Sequence, residues 1–265
     1  MIKKIQIELL IFVVLLISIL LTYKIDVGLY GFFSNFNYGY GSAYLKDFFV
    51  SITNLGDSLW YFIILILIFL FSYLFKKTKL ITVDKYSYFK KFSFFGFPYL
   101  LLVGVITQII KHLVGRPRPN YAQLNGGFEF NFFTTESAFH SFPSGHSSTI
   151  VAIIIMGSLT VPSLRYFFYF CGFVIALSRV VVGAHFITDV VGGALIAIIV
   201  YKVFDFFVKK KYPKIYWGNL EVYKTSILAK TLIIFFVLAV FTTIGPGIDV
   251  FISNLFYYGN NQFLI

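Results

Sequence analysis

Seven apolar runs, each close to the length that crosses a bilayer, constrain this chain more than any other feature. They cover residues 5–23, 59–75, 92–114, 145–161, 167–182, 185–208 and 226–244. About 20 apolar residues in helical conformation span a hydrocarbon core. Within that core a helix satisfies its backbone polar groups internally. The expected fold class is therefore all-α, a polytopic transmembrane helical bundle. Only 12% of residues are charged, against roughly a quarter in soluble domains.

The formal net charge of +11 does not form a nucleic-acid patch. The lysines flank apolar runs, as the positive-inside rule expects, and no nucleic-acid partner is implied. Met1-Ile-Lys-Lys4 precedes the first run, which is long and lacks a small-x-small cleavage pattern, so a retained span is expected. With the N-terminus inside, sixteen of the 22 Lys and Arg residues fall on the inner side: Lys3, Lys4, Lys76, Lys77, Lys79, Lys85, Lys90, Lys91, Arg165, Lys202, Lys209, Lys210, Lys211, Lys214, Lys224 and Lys230. Lys24, Lys46, Lys111, Arg116, Arg118 and Arg179 remain outside. The single cysteine, Cys171, permits no intrachain disulfide.

Between the runs, residues 24–58 are mixed and aromatic and are expected along the membrane surface. Asn54-Leu55-Gly56-Asp57 reads as a turn or cap before the second span. Residues 115–143 read as a polar loop, and the prolines at 117 and 119 are expected to hold the chain extended around Arg118. One short repeat occurs: Ile25-Asp26-Val27 with Phe33 returns as Ile248-Asp249-Val250 with Phe256. Gly245-Pro246-Gly247 ends the seventh run.

Three polar stretches interrupt this apolar chain. In the first, Ser178-Arg179 is followed by Gly183, His185 and Asp189. Ionisable groups at membrane depth mark function by default. His185 and Asp189, four apart, are expected on one face of a helix starting at 185, where the carboxylate can orient the imidazole. Gly183 suits a turn between two helices. The second stretch is Lys111-His112-Leu113-Val114-Gly115-Arg116-Pro117-Arg118-Pro119. The third, Pro143-Ser144-Gly145-His146, opens the fourth span. Ser144 is a candidate N-cap, and a helix N-terminus with Gly145 suits an anion.

In the charge-derived orientation all three stretches lie at the outer face. Lys111, Arg118 and Arg179 then offer three positive charges to a phosphate dianion. His185 is a nucleophile candidate, and His146 is a candidate general acid. Metal ligation by two histidines and an aspartate is the rival, which three neighbouring cations oppose. His112, His140 and Arg116 receive no role.

Lys111-x6-Arg118-Pro119, Pro143-Ser144-Gly145-His146 and Ser178-Arg179-x5-His185-x3-Asp189 together resemble the three signatures of the type 2 phosphatidic acid phosphatase (PAP2) superfamily, in order and spacing. The resemblance covers residues 55–208. Asn54-Leu55-Gly56-Asp57 also looks like a turn that precedes the second span of bacterial members. The resemblance implies a metal-independent, cofactor-free membrane phosphatase acting on a lipid phosphate. In it, His185 forms a phospho-histidine assisted by Asp189. His146 protonates the leaving alcohol and then activates water, while Lys111, Arg118, Ser144, Gly145 and Arg179 hold the phosphoryl oxygens.

The expected organisation is a first span and outer segment over 1–54, a PAP2-type catalytic core with spans two to six over 55–208, and a basic loop, seventh span and outer tail over 209–265. The seventh span departs from the usual six. The expected location is a bacterial cytoplasmic membrane with the site facing the periplasm. Candidate substrates are phosphatidic acid, phosphatidylglycerol phosphate, undecaprenyl pyrophosphate and lipid A phosphates. Residues 120–142, with Asn120, Tyr121, Asn125, Glu129 and Phe133, are expected to select among them. Alternatives are a phosphotransferase using the same phospho-histidine, a vanadate haloperoxidase, which seven spans oppose, and a non-catalytic transporter or scaffold, which the intact His146, His185 and Asp189 oppose.

Overall fold

The computed structural model describes residues 23–36, 42–79, 83–125, 128–212, 257–258 and 262–263. The first expected span up to residue 22, the seventh span and the Ile248-Asp249-Val250 copy of the repeat lie outside the described residues. The helices are α1 (Tyr23–Phe36), α2 (Ser42–Thr53), α3 (Ser58–Lys77), α4 (Val83–Val114), α5 (Pro119–Asn125), α6 (Gly145–Thr160), α7 (Arg165–Val181) and α8 (Ile187–Lys211). A two-residue ladder, Tyr257–Tyr258 (β1) against Gln262–Phe263 (β2), is the exception to helix among the described residues. Four helical segments are long and apolar enough to cross a membrane: Ser58–Lys77, Phe89–Leu124, Pro162–Val181 and Ile187–Lys211. Gly145–Thr160 is apolar but shorter.

Local chemistry sets the helix ends. The Asp57 carboxylate accepts the Leu59 N–H at 2.9 Å and starts α3. Ser144 caps α6, its hydroxyl accepting the Ser147 N–H at 3.3 Å. Lys209, Lys210 and Lys211 fill the last turn of α8, where the helix dipole favours positive charge.

Two expectations about element limits are corrected. Residues 115–143 are not simply an extended loop, because Pro119 begins α5. Proline at a first helical position loses nothing, since that N–H has no helical acceptor. The expected sixth span begins at Ile187, so His185 lies ahead of α8 and not on its face.

The core joins α3, α4, α6 and α8 through Leu65, Phe95, Tyr99, Val103, Met156 and Ile196. A second cluster, Ile52, Leu55, Ile150 and Ile175, ties α2 and the turn after it to α6 and α7. The outward side of α3 exposes Leu59, Trp60, Ile63, Ile64 and Leu67, as suits a surface solvated by lipid. Apolar burial drives little association where the solvent is itself hydrocarbon, so close packing and interhelical hydrogen bonds must contribute. Tyr99 donates its hydroxyl to the Ala197 carbonyl at 2.9 Å. Thr107 donates to Ser148 Oγ at 3.1 Å, linking α4 to α6. The segment before α6 rests on paired glycines of α8. A methyl on Gly193 would run into the Ser144 carbonyl, and one on Gly192 into the Phe142 ring.

Gly193→Ala is therefore expected to force α8 away from Ser144. The cost should be about 1–3 kcal/mol, the usual range for overpacking, read as a lower thermal midpoint of the purified protein. Gly104→Ala, where a methyl meets open space, should leave the midpoint unchanged or raise it. Equal midpoints for the two variants would contradict the close approach.

Candidate active site

Each motif is placed by a turn its sequence requires. Gly115 ends α4 with φ +56°, and its N–H donates to the Lys111 carbonyl at 3.0 Å. A side chain there would overlap the Asn131 carbonyl, so glycine is needed for both φ and space. The chain then pairs with the far side of its own loop. Asn131 N–H donates to the Gly115 carbonyl at 2.8 Å, Ser141 N–H to Arg116 at 3.0 Å, and Arg118 N–H to Ala138 at 2.8 Å. At the corner between α7 and α8, Gly183 takes φ +69°. The Ala184 and His185 N–H groups both donate to the Arg179 carbonyl at 3.1 Å. This reverses the chain and leaves His185 between the two spanning helices.

The structure brings the sequence-selected residues together around His185 and His146. Lys111 and Arg179 act electrostatically on His185, against the attraction of Asp189. Arg179, Lys111 and Arg118 also act on His146, as does Asp57. His185 is 3% exposed. Burial is the main cause that pushes its imidazole down to about 3, so the ring is neutral and its nitrogen lone pair is available. His185 Nδ1 stands 3.7 Å from Asp189 Oδ2, an ion-pair distance too long for a hydrogen bond. Such contacts are commonly long in unliganded sites.

Asp189 has no exposed surface. Oδ1 accepts Arg116 Nη1 at 2.8 Å. Oδ2 accepts the Ser141 hydroxyl at 2.6 Å and the Phe186 N–H at 2.8 Å. Its backbone carbonyl accepts the Ser144 N–H at 2.9 Å, so the same residue also fixes the start of α6.

Each motif cation is held by a neutral acceptor. Lys111 Nζ donates to the His140 carbonyl at 2.7 Å. Arg118 Nε donates to the Ser137 carbonyl at 3.0 Å. Arg179 Nη1 donates to Thr53 Oγ1 at 2.6 Å, and its buried Nε has no partner. At the helix start, Ser144 Oγ accepts from Ser147 N–H and Ser147 Oγ, leaving its own proton to donate. The Gly145 and His146 N–H groups have no acceptor among the described residues, since the Ser144 cap reaches only the third N–H of the first turn. His146 is seated by the 54–57 turn: a methyl on Gly56 would lie 2.9 Å from His146 Cβ.

Several site neighbours were not apparent from the sequence. Arg116 is 3% exposed and bridges two carboxylates, Asp189 and, at 2.6 Å, Asp26 of α1. Asp26 is 1% exposed, although its segment was expected at the membrane surface. It also accepts the Thr188 N–H at 3.1 Å and the Thr188 hydroxyl. Ser141 and Thr53 complete the set. The available signal was charge at membrane depth, which singles out Arg116 and Asp26 as readily as Arg118. His112 and His140 pair with each other, ring centroids 4.3 Å apart. Among the headgroup candidates, Asn120 accepts from the Tyr30 hydroxyl at 3.1 Å, Tyr121 lies against Phe139, and Phe133 is 79% exposed. Glu129 is also exposed, and the side chain of Asn125 lies outside the described set.

Residues 96–213 match the PAP2 superfamily model. A lipid A 1-phosphatase of Rhizobium etli is 33% identical over 154 residues, 57% of this chain and 66% of that protein. A lipid A 1-phosphatase of Rhizobium johnstonii is 40% identical over 90 residues, 34% of this chain and 37% of that protein. Phosphatidylglycerophosphatase B of Bacillus subtilis is 32% identical over 132 residues, 43% of this chain and 60% of that protein. The chain thus spans less than two thirds of the length of each of these relatives. The crystal structure of a transmembrane PAP2-type phosphatidylglycerolphosphate phosphatase from Bacillus subtilis superposes with a TM-score of 0.54 at 21% identity, covering 80% of this chain and 98% of that one, which supports the fold. Through residues 96–213, which carry all three motifs, the chain is similar to the PAP2 superfamily.

Proposed function

We propose that this protein is an integral membrane phosphatase that removes a phosphoryl group from a lipid headgroup through a phospho-histidine. One observation carries the reading: a buried neutral imidazole, backed by a carboxylate, sits among three cations that no carboxylate directly pairs among the described residues. In the first step His185 Nε2 attacks phosphorus and the bond from phosphorus to the lipid oxygen breaks. Lys111, Arg118 and Arg179 hold the phosphoryl oxygens, together with the Ser144 hydroxyl and the Gly145 and His146 N–H groups. This is charge stabilisation in a water-poor site. Asp189 stabilises the positive charge that develops on the His185 ring. His146 gives its proton to the departing lipid oxygen. In the second step His146 takes a proton from water as the water oxygen attacks phosphorus. The N–P bond breaks, inorganic phosphate leaves, and both histidines return to their starting states.

The names of the relatives put lipid A 1-phosphate and phosphatidylglycerol phosphate first in an assay panel, with phosphatidic acid and undecaprenyl pyrophosphate beside them. Release of inorganic phosphate separates hydrolysis from transfer to a lipid or sugar acceptor. The 1–54, 55–208 and 209–265 organisation belongs to this proposal, as does a location in the cytoplasmic membrane.

His185→Ala is expected to abolish phosphate release. Asp189→Asn should lower kcat on the order of 10⁴-fold, as when a carboxylate that orients a catalytic histidine is neutralised. Chelators should leave activity intact, and vanadate should inhibit by imitating pentacoordinate phosphorus. Activity lost in a chelator and restored by added metal would overturn the metal-independent chemistry.

The side of the membrane rests on charge. Reversing the chain would place sixteen cationic side chains outside, against the insertion bias. Single cysteines at Asn125 and Thr78, in a Cys171→Ser background, test this with a membrane-impermeant maleimide on intact spheroplasts. Labelling at Asn125 and not at Thr78 is expected. The opposite pattern would put the site in the cytoplasm.

A further inference from the structure

We propose that Asp26, on a helix ahead of the matched PAP2 residues, is a positioning residue that acts on His185 through Arg116 and Asp189. The proposal rests on the phosphatase reading for its kinetic arm and on the structure alone for its chemical arm. Asp26 and Asp189 are both buried, and one guanidinium joins them: Nη2 meets Asp26 Oδ2 at 2.6 Å and Nη1 meets Asp189 Oδ1 at 2.8 Å. Arg116 Nη1 also donates to Thr188 Oγ1 at 2.7 Å, and the Arg116 guanidinium lies 4.5 Å from the centre of the Phe186 ring. Asp26 in turn receives the Thr188 N–H and hydroxyl. The residue before Asp189 and the residue after His185 are therefore both fixed by this cluster.

The charges explain why the second carboxylate is there. Asp189 and Arg116 alone cancel. With Asp26 present, the cluster keeps one net negative charge, available to the imidazole as it becomes positive on attacking phosphorus. Without Asp26, Arg116 is left wholly to Asp189 and neutralises the carboxylate that His185 needs. One face of α1 carries the arrangement, since Tyr30, one turn after Asp26, donates to Asn120 at 3.1 Å and to Gln123 at 2.7 Å. Helix α1 thus ties the stretch after Lys111 to the corner that holds His185. The family-model match begins at residue 96, so this contribution comes from outside it.

The test uses the purified full chain, checked for folding by thermal midpoint, with kcat and KM measured on the lipid-phosphate panel. Asp26→Asn should lower kcat about 10- to 100-fold, the usual cost of losing a partner that orients a reacting group. KM should stay within about twofold, because Lys111, Arg118 and Arg179 are untouched. Asp26→Glu, which keeps the charge, should recover most of the loss. A second measurement needs no turnover. Diethyl pyrocarbonate modification of His185, followed by peptide mass spectrometry with His112 as internal reference, should be several-fold slower in Asp26→Asn. If the wild type releases no phosphate from any lipid, the phosphatase reading falls and the modification rate still decides the positioning role. Removing one member of a buried pair strands the other. If Asp26→Asn does not fold, the doubly neutral Asp26→Asn/Arg116→Gln takes its place; Asp189 then keeps its charge, so a kcat at least about tenfold down reads the loss of positioning alone. A folded variant with wild-type kcat and a wild-type His185 modification rate would overturn the proposal, as would a loss confined to KM.

Discussion

A carboxylate with no exposed surface, Asp189, sets the terms for the rest of the site. An isolated buried charge costs several kcal/mol even after relaxation, so the fold surrounds it with donors. Arg116 comes from the loop after α4, Ser141 from the segment before α6, and the Phe186 N–H from the α7–α8 corner. Three parts of the chain far apart in sequence are held at one point by the need to solvate one group. The Asp189 carbonyl, by taking the Ser144 N–H, extends the same control to the helix start that carries His146. Charge burial and site assembly are one physical event here.

The basic residues divide by what they touch. Lys111, Arg118 and Arg179 rest on carbonyls or a hydroxyl, which orient a cation without cancelling its charge. Arg116 rests on two carboxylates. Only the first kind keeps its field for an incoming dianion, and in a low-dielectric pocket that field is strong. On the proposed function this separates cations that would hold a ligand from cations that assemble the site more clearly than sequence position does, because Arg116 and Arg118 flank the same proline.

Much of this was legible in the sequence. The apolar runs matched α3, α6, α7 and α8 to within about three residues, whereas α4 begins at Val83, nine residues before its run, and Asp57 and Ser144 act as caps where short polar side chains precede apolar runs. Gly183 turns the corner because φ +69° excludes most other residues. The failures have physical reasons too. The start of α8 was set two residues early because Phe186 is a poor cap by type, and Asp189 reaches back from the third helical position to replace it. Helix α5 was missed because Pro119 was read as holding the chain extended, whereas at a first helical position it begins a helix. Arg116 was passed over because its acidic partner, Asp26, lies 90 residues away. No periodicity or local spacing encodes a pairing of that kind.

On the phosphatase reading, the groups proposed to hold phosphate are mostly buried, and a buried phosphate cradle reads little of the lipid beyond its headgroup. Discrimination between lipids must then arise where side chains reach outward. Leu124, Phe132 and Phe133 are 85%, 63% and 79% exposed on the 119–137 segment. That segment is not free to drift. Its backbone is bonded to residues 113–118 at one end, and Asn120 and Gln123 are held by Tyr30 at the other. Tyr30 packs edge-on against Phe186, with ring centroids 6.2 Å apart, so the exposed segment and the catalytic corner share a support in α1. On the phosphatase reading, a change in α1 reaches both the surface that meets the lipid and the carboxylate behind the nucleophile. Substrate choice and turnover are then mechanically coupled through one helix, although neither the lipid-facing residues nor His185 belong to it.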